Sequence, residues 1–119
     1  MDQGERTILV VDDDPQILRL LESMLKPRRV RVIAAARPSE ALQIASRQTV
    51  HLLISDLKMP EMDGGELAER VLELRPEASV LLISGTQPET KLGREEGVHF
   101  LRKPFFPSEL MEQLRQLLP

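Results

Sequence analysis

Carboxylates follow two of the apolar segments in this sequence at the points where those segments end. Asp12 and Asp13 come directly after the apolar residues 7–11, and Asp56 comes directly after residues 50–55. Carboxylates gathered in one place resist ionisation unless a cation or strong hydrogen-bond donors compensate their charge. Mg²⁺ suits such a site because it prefers oxygen ligands and typically binds one or two carboxylates. The lack of His and Cys in this set argues against zinc.

Ser84 and Lys103 occupy equivalent places along the chain. Ser84 ends the apolar residues 80–84, and Lys103 directly follows residues 99–102. A carboxylate can attack phosphorus to form an aspartyl phosphate, provided that a metal and a cation neutralise the charge on the transferring oxygens. If the fold brings these residues to the aspartates, Lys103 and the Ser84 hydroxyl are the expected partners in such a reaction.

Strand-like apolar runs alternate with amphipathic helical segments along the chain. Strands are predicted at residues 7–11, 30–36, 50–55, 80–84 and 99–102. One helix is predicted from residue 15 to 26, and another begins at residue 38. A further helix ends before residue 75, and another begins at residue 107. This alternation predicts a doubly wound α/β fold with a parallel sheet and helices on both faces. Ligand sites in such folds lie at the carboxyl ends of the strands, where all the candidate side chains fall.

Residue types at two helix starts make specific predictions. Asp14 is of a type that caps helices, and Pro15 is of the type found at the first helical position. Gly64 and Gly65 are expected in the loop before the third helix, because glycine commonly marks turns.

Length and composition limit the class of protein. The chain has 119 residues, a net charge of -3 and no cysteine. We expect one domain over residues 1–119, which could belong to a longer chain. The acidic balance argues against nucleic-acid binding by this domain. The lack of cysteine suits a reducing compartment, and no apolar run is long enough to cross a membrane, so we expect a cytoplasmic protein.

Four segments together resemble the receiver domains of two-component response regulators. They are VVDDDP at residues 10–15, DLKMPEMDG at 56–64, SG at 84–85 and FLRKPF at 100–105. The resemblance spans nearly the whole chain, and DLKMPEMDG is its most specific part. It implies a flavodoxin-like five-stranded sheet in the order 2-1-3-4-5. It also implies signalling by phosphorylation, without turnover of external substrates.

The resemblance further implies roles for individual residues. Asp56 would be the phosphoacceptor. Mg²⁺ would be held by Asp12, Asp13, Asp56 and the backbone carbonyl of Lys58. Ser84 and Lys103 would bind phosphoryl oxygens, and Phe100 would be the switch aromatic that couples the site to the far face. The phosphoryl donor would be a sensor histidine kinase, a phosphotransfer protein or a small acyl phosphate, and the output partner would be an effector domain or a second copy.

Three other interpretations stay open at this level. The acids at residues 12–14 could simply favour a helix N-terminus. A haloacid dehalogenase-type phosphatase also uses an aspartate after its first strand, but its pattern requires Thr or Val where this chain has Gln16. A docking module with a receiver fold would keep the structure without depending on phosphate.

Two features depart from a simple receiver pattern. Residues 86–98 are shorter than usual and contain Pro88 and Gly93, so we expect the fourth helix of the fold to be short or irregular. The first helix has a second apolar stripe of Ile17, Leu20 and Met24 beside its core stripe. If this second stripe is exposed, it provides a docking surface for a kinase or phosphotransfer protein.

Overall fold

Strands and helices alternate in the order that the sequence predicts. The computed structural model describes residues 5–85 and 97–118. Its strands are β1 (Arg6–Val11), β2 (Val30–Ala35), β3 (Leu52–Asp56), β4 (Ser79–Ser84) and β5 (Val98–Arg102). The helices within these residues are α1 (Pro15–Leu25), α2 (Pro38–Arg47), α3 (Gly64–Leu74) and α4 (Pro107–Leu117). The predicted strand bounds differ from the observed ones by one or two residues.

The five strands form one parallel sheet in the order β2-β1-β3-β4-β5. This confirms the predicted flavodoxin-like order. The chain passes from β1 to β2 at one edge and then returns to β3 on the other side of β1, so the direction of winding reverses between β1 and β3. In doubly wound sheets a crevice opens at this point, at the carboxyl ends of the strands. Asp12 follows β1 there, and Asp56 is the last residue of β3.

A hydrophobic core lies on each face of the sheet. The first core combines buried side chains of the sheet with those of α2 and α3: Leu9, Leu53, Leu82, Ala41, Ala45, Leu67 and Val71. The second core combines buried side chains of the sheet with those of α1 and α4: Ile8, Ile54, Leu81, Leu21, Leu25 and Leu110. Because alternate residues of a strand point to opposite faces and both faces are covered, residues 8–11 of β1 and 52–54 of β3 are all apolar.

The starts of α1 and α3 show how the sequence sets helix boundaries. The Asp14 carboxylate accepts a hydrogen bond from the Gln16 N–H at 2.9 Å, and Pro15 is the first helical residue, as predicted. The prediction that Gly64 and Gly65 lie in a loop is wrong, because they are the first two residues of α3 and both are buried. The Asp63 carboxylate caps α3 by accepting a hydrogen bond from the Glu66 N–H at 2.8 Å. The helix therefore begins at Gly64 rather than after the two glycines.

The second apolar stripe of α1 is divided between core and surface. Ile17 and Met24 are partly buried against the second core, whereas Leu20 is 44% exposed. The expected short or irregular fourth helix falls mainly on residues 86–96, outside the described residues. Among the described helices, none is both long and apolar enough to cross a membrane.

Candidate functional site

Three aspartates converge at the carboxyl ends of β1 and β3. One carboxylate oxygen from each of Asp12, Asp13 and Asp56 lies within 4.8 Å of the other two. Asp12 is buried, Asp56 is partly buried and Asp13 is exposed. The Asp12 carboxylate accepts a hydrogen bond from the Asp14 N–H at 2.9 Å, and the Asp12 N–H donates to the Ala35 carbonyl at 3.3 Å. These bonds fix Asp12 beside the end of the sheet.

Asp12 is harder to ionise than an ordinary aspartate, chiefly because it is buried. The pKa of Asp12 is raised from its ordinary 3.8 to about 6, mainly by burial, with the charges of Asp56 and Asp13 contributing to the same rise. The hydrogen bond from Asp14 and the charge of Lys103 act in the opposite direction but do not cancel the rise. A divalent cation beside these carboxylates would favour their ionised forms and lower the pKa.

Lys103 reaches the cluster from the end of β5. Its ammonium nitrogen lies 3.2 Å from Oδ1 of Asp56, and the two side chains are 31% and 13% exposed. The Lys103 N–H donates to the Ser84 carbonyl at 2.8 Å, which extends the pairing of β4 with β5 by one residue. The register of these strands therefore sets the position from which the lysine side chain starts.

Ser84 and Phe100 lie on the two strands beyond β3. Ser84 is buried at the end of β4, one residue past Ile83, which pairs with Asp56 across the β3–β4 ladder. Phe100 pairs with Leu82 and is partly buried against the first core. The fold thus brings Ser84 to the edge of the sheet that holds the aspartates. Phe100 lies farther down β5, so any effect it has on the site is indirect.

The segment of residues 57–63, which we call the β3–α3 loop, closes tightly after Asp56. The Gly64 N–H donates to the Leu57 carbonyl at 2.7 Å, and the Leu57 N–H donates to the Ile83 carbonyl at 2.8 Å. Lys58 is exposed on this loop. Among the described residues, no donor is hydrogen-bonded to the Lys58 carbonyl.

Two residues that support Asp56 were missed by sequence reasoning. Ser55 is fully buried, and its hydroxyl donates to the Asp56 carbonyl at 2.9 Å. A single polar residue inside an apolar strand, directly before the acid, was the available signal. Gly64 is the second, since a Cβ at that position would lie only 2.4 Å from the Asp56 carbonyl oxygen. No local pattern distinguishes that glycine from one in an ordinary turn.

The site combines three carboxylates with one ammonium group and contains only oxygen donors for a metal. This donor set fits Mg²⁺, which accepts carboxylate and carbonyl oxygens and keeps part of its water shell. It does not fit metals that favour nitrogen or sulfur ligands. A cation at this position would offset the negative charge of the three carboxylates.

Comparison with known proteins finds consistent similarity over almost the whole chain. A family model described as response regulator receiver domain matches residues 8–115. The transcriptional regulatory protein GlrR of Escherichia coli K12 is 34% identical over 114 residues, which cover 93% of this chain and 26% of GlrR. An uncharacterised 14.6 kDa protein of Leptolyngbya boryana is 39% identical over 118 residues, with 95% and 90% of the two chains covered. The structure of chemotaxis protein CheY4 from Vibrio cholerae matches with a TM-score of 0.86 and 30% identity, over 97% of this chain and 100% of that one. This chain therefore corresponds to about a quarter of GlrR and to nearly all of the other two proteins.

Proposed function

The chain belongs to the response regulator receiver domain family of two-component systems, and we propose that it is a phosphorylation switch in which Asp56 accepts a phosphoryl group from a histidine kinase or phosphotransfer protein. Accepting a phosphoryl group is the general function of the family. For this chain, the observation that most directly supports it is the 3.2 Å contact between the Lys103 ammonium and the Asp56 carboxylate, beside Asp12 and Asp13.

The proposed reaction requires Mg²⁺ at the aspartate cluster. The carboxylates of Asp12, Asp13 and Asp56 and the carbonyl of Lys58 would hold the ion. When bound, it would supply positive charge to the oxygens of the phosphoryl group in transit. Asp12 could bind directly or through a water molecule, since Mg²⁺ usually keeps several waters.

The side chains of the protein would position and stabilise the phosphoryl group. A carboxylate oxygen of Asp56 forms the new bond to phosphorus while the bond from phosphorus to the donor histidine breaks. Lys103 pairs with one phosphoryl oxygen, and the Ser84 hydroxyl donates to another. Before the reaction, the Lys103 ammonium already lies 3.2 Å from the acceptor carboxylate. It therefore needs little movement to reach the phosphoryl oxygens, where the negative charge develops.

Phosphorylation would be transmitted through the β4–β5 side of the sheet. Once the Ser84 hydroxyl turns toward the phosphoryl group, the space beside it changes, and Phe100 rotates to a more buried position. The partly buried state of Phe100 in this structure is consistent with such movement. The output partner would be an effector domain or a second copy of the chain.

The donor would dock on the α1 side of the site. Leu20 is 44% exposed on α1, and Phe106, directly before α4, is 74% exposed. Exposed apolar side chains such as these provide a surface for a helical partner.

Members of this family are signalling modules rather than metabolic enzymes. We accordingly propose that this chain turns over no external substrate and works in the cytoplasm as one receiver domain over residues 1–119. The matched residues cover only 26% of GlrR, which leaves room in that protein for further domains. An effector domain in the same protein would be one form of output partner for this chain.

Incubation with Mg²⁺ and acetyl phosphate, followed by measurement of the intact mass, tests the proposed function. We expect the gain of one phosphoryl group, its loss in Asp56→Ala and its loss when Mg²⁺ is chelated. Asp63→Asn is the matched control, because it removes an acid seven residues away while Asn retains the capping oxygen for α3. Undiminished labelling of Asp56→Ala, or no labelling of the wild type, would refute the proposal.

A further inference from the structure

Glu61, in the β3–α3 loop, adopts a backbone conformation that side chains rarely tolerate. Its φ is +76°, and it is the one non-glycine residue with positive φ among those described. The Met62 N–H donates to the Pro60 carbonyl at 2.9 Å, so residues 60–62 form a three-residue turn with the rare, strained sign of φ. Such a conformation persists only where the surrounding contacts determine it.

The side chain of Glu61 makes a contact with a distant part of the chain. Its Oε1 accepts a hydrogen bond from the N–H of Ser39, the second residue of α2, at 3.3 Å. The N-cap residue of α2, Arg37, provides no side-chain cap of its own. A carboxylate at a helix N-terminus satisfies an unpaired donor and interacts favourably with the helix dipole. Glu61 thus caps α2 from a different part of the chain.

The other end of the β3–α3 loop is fixed at the site. The Leu57 carbonyl accepts from the Gly64 N–H, and Asp56 and Lys58 flank Leu57. The loop is therefore held at two places, by its own closure at Gly64 and by Glu61 on α2. Movement at position 61 changes the path of the segment that contains Lys58.

From these contacts we infer that Glu61 is a positioning residue, whose carboxylate ties the β3–α3 loop to the start of α2 and so holds Lys58 in place for Mg²⁺ binding and for phosphorylation of Asp56. The inference rests on the proposed function. It assigns Glu61 no contact with the phosphoryl group.

A first test measures the hydrogen bond between the Ser39 N–H and the Glu61 carboxylate directly, without phosphate or metal. Amide exchange by NMR is compared in the wild type, Glu61→Ala and Glu40→Ala. Glu40 is the matched control, because it is also an exposed acid at the start of α2 and its carboxylate accepts from the Ala36 N–H at 3.1 Å. Loss of one hydrogen bond predicts exchange of Ser39 and Met62 about threefold faster or more in Glu61→Ala. Both amides should be unchanged in Glu40→Ala.

A second test measures the Mg²⁺ dependence of labelling by acetyl phosphate. For Glu61→Ala we expect the Mg²⁺ concentration at half-maximal rate to rise about threefold, with a rate at saturating Mg²⁺ within about twofold of the wild type. Glu61→Gln keeps the acceptor oxygen and should restore most of the Mg²⁺ affinity. Glu61→Gly removes both side chain and backbone strain, and should behave like Glu61→Ala if the side chain provides the tie.

The two tests separate failure of the inference from failure of the proposed function. If the wild type is labelled but Glu61→Ala matches Glu40→Ala in amide exchange, or matches the wild type in its Mg²⁺ dependence, the inference is overturned and the proposed function stands. Wild-type behaviour of Glu61→Gly would also overturn it, because the turn alone would then be sufficient. A wild type that is never labelled refutes the proposed function together with the role of Glu61 in it.

Discussion

Gly64 and Asp56 touch through their backbones where α3 begins beside the end of β3. A Cβ at position 64 would lie 2.4 Å from the Asp56 carbonyl oxygen and 3.0 Å from the Cα of Leu57. Because both obstructing groups belong to the backbone, neither can rotate away as a flexible side chain could. The close approach of α3 to the proposed phosphoacceptor therefore requires a residue without a side chain.

Gly64→Ala should destabilise the protein and displace Asp56. Forcing a methyl group into a packed contact typically costs about 1–3 kcal/mol. This outweighs the roughly 0.5–1 kcal/mol that Ala gains over Gly inside a helix. The midpoint of urea unfolding, followed by circular dichroism, measures the difference. Phosphorylation by acetyl phosphate should also slow, because the Asp56 backbone must move.

Gly85→Ala is the control for this substitution. Position 85 is exposed, and among the described residues no atom lies within 4 Å of a Cβ built there. We expect its free energy of unfolding to change by less than about 0.5 kcal/mol. Equal losses in Gly64→Ala and Gly85→Ala would contradict the steric argument.

Lys103→Ala should remove most phosphorylation while leaving the fold intact. A hydrogen bond between charged groups contributes about 1.5–3 kcal/mol, which corresponds to a rate reduction of roughly 10- to 100-fold if it is made to the phosphoryl group. The initial rate of labelling by acetyl phosphate measures this effect. Weaker binding of beryllofluoride, a phosphate mimic, should accompany the loss.

Lys58→Ala separates the specific role of Lys103 from a general effect of positive charge near the site. It removes the same charge from the exposed β3–α3 loop but keeps the backbone carbonyl proposed as a metal ligand. We expect an initial labelling rate within about threefold of the wild type, since exposed charges interact weakly through water. A loss of labelling rate as large as that of Lys103→Ala would contradict a role that is specific to Lys103.

The sequence predicts where the candidate side chains lie because strand ends are marked by an abrupt change from apolar to polar residues. In a parallel sheet those ends meet at one edge, so the strand pattern is enough to place Asp12, Asp56 and Ser84 together. The contact of Lys103 with Asp56 is harder to predict from the sequence, because it depends on the register of β4 with β5 and on the conformation of a long side chain.

Contacts between distant segments account for what the sequence does not predict. The frequency of glycine in turns favours a loop at Gly64 and Gly65, whereas α3 begins at them so that it can approach β3. The positive φ of Glu61 is equally hidden, because glutamate has no preference for it and the compensating hydrogen bond comes from Ser39, 22 residues away.

Leu20→Ala and Leu21→Ala should differ sharply in stability although the residues are neighbours in α1. Leu21 is 1% exposed in the second core, and Leu20 is 44% exposed. Truncation of a buried leucine typically costs about 2–5 kcal/mol, whereas surface substitutions usually stay within about 0.5 kcal/mol. Urea unfolding measures both. If Leu20 belongs to a docking surface, Leu20→Ala should instead weaken phosphorylation by a cognate kinase while labelling by acetyl phosphate is unchanged.

The pH dependence of the free energy of unfolding should reveal the raised pKa of Asp12 in the folded protein. Its pKa in the folded protein is about 6, above the ordinary 3.8, so between these values the folded state binds more protons than the unfolded state. Asp12 therefore lowers the free energy of unfolding as pH rises from about 4 to about 6, and the loss persists above pH 6. Asp12→Asn, which keeps an acceptor oxygen for the Asp14 N–H, should stabilise the metal-free protein more at pH 7.5 than at pH 4.5. Urea unfolding at the two pH values measures the difference.

Glu69→Gln serves as the control for this pH effect, because Glu69 is an exposed acid on α3. Its effect on the free energy of unfolding should be within about 0.5 kcal/mol, as is usual for surface substitutions. Mg²⁺ extends the argument, since a cation that relieves the repulsion among Asp12, Asp13 and Asp56 must stabilise the wild type once these acids are ionised. At ten times its dissociation constant, Mg²⁺ should add about 1.4 kcal/mol at pH 7.5. The gain should shrink at pH 4.5, where protons compete for the same oxygens, and a gain that is independent of pH would place the ion elsewhere.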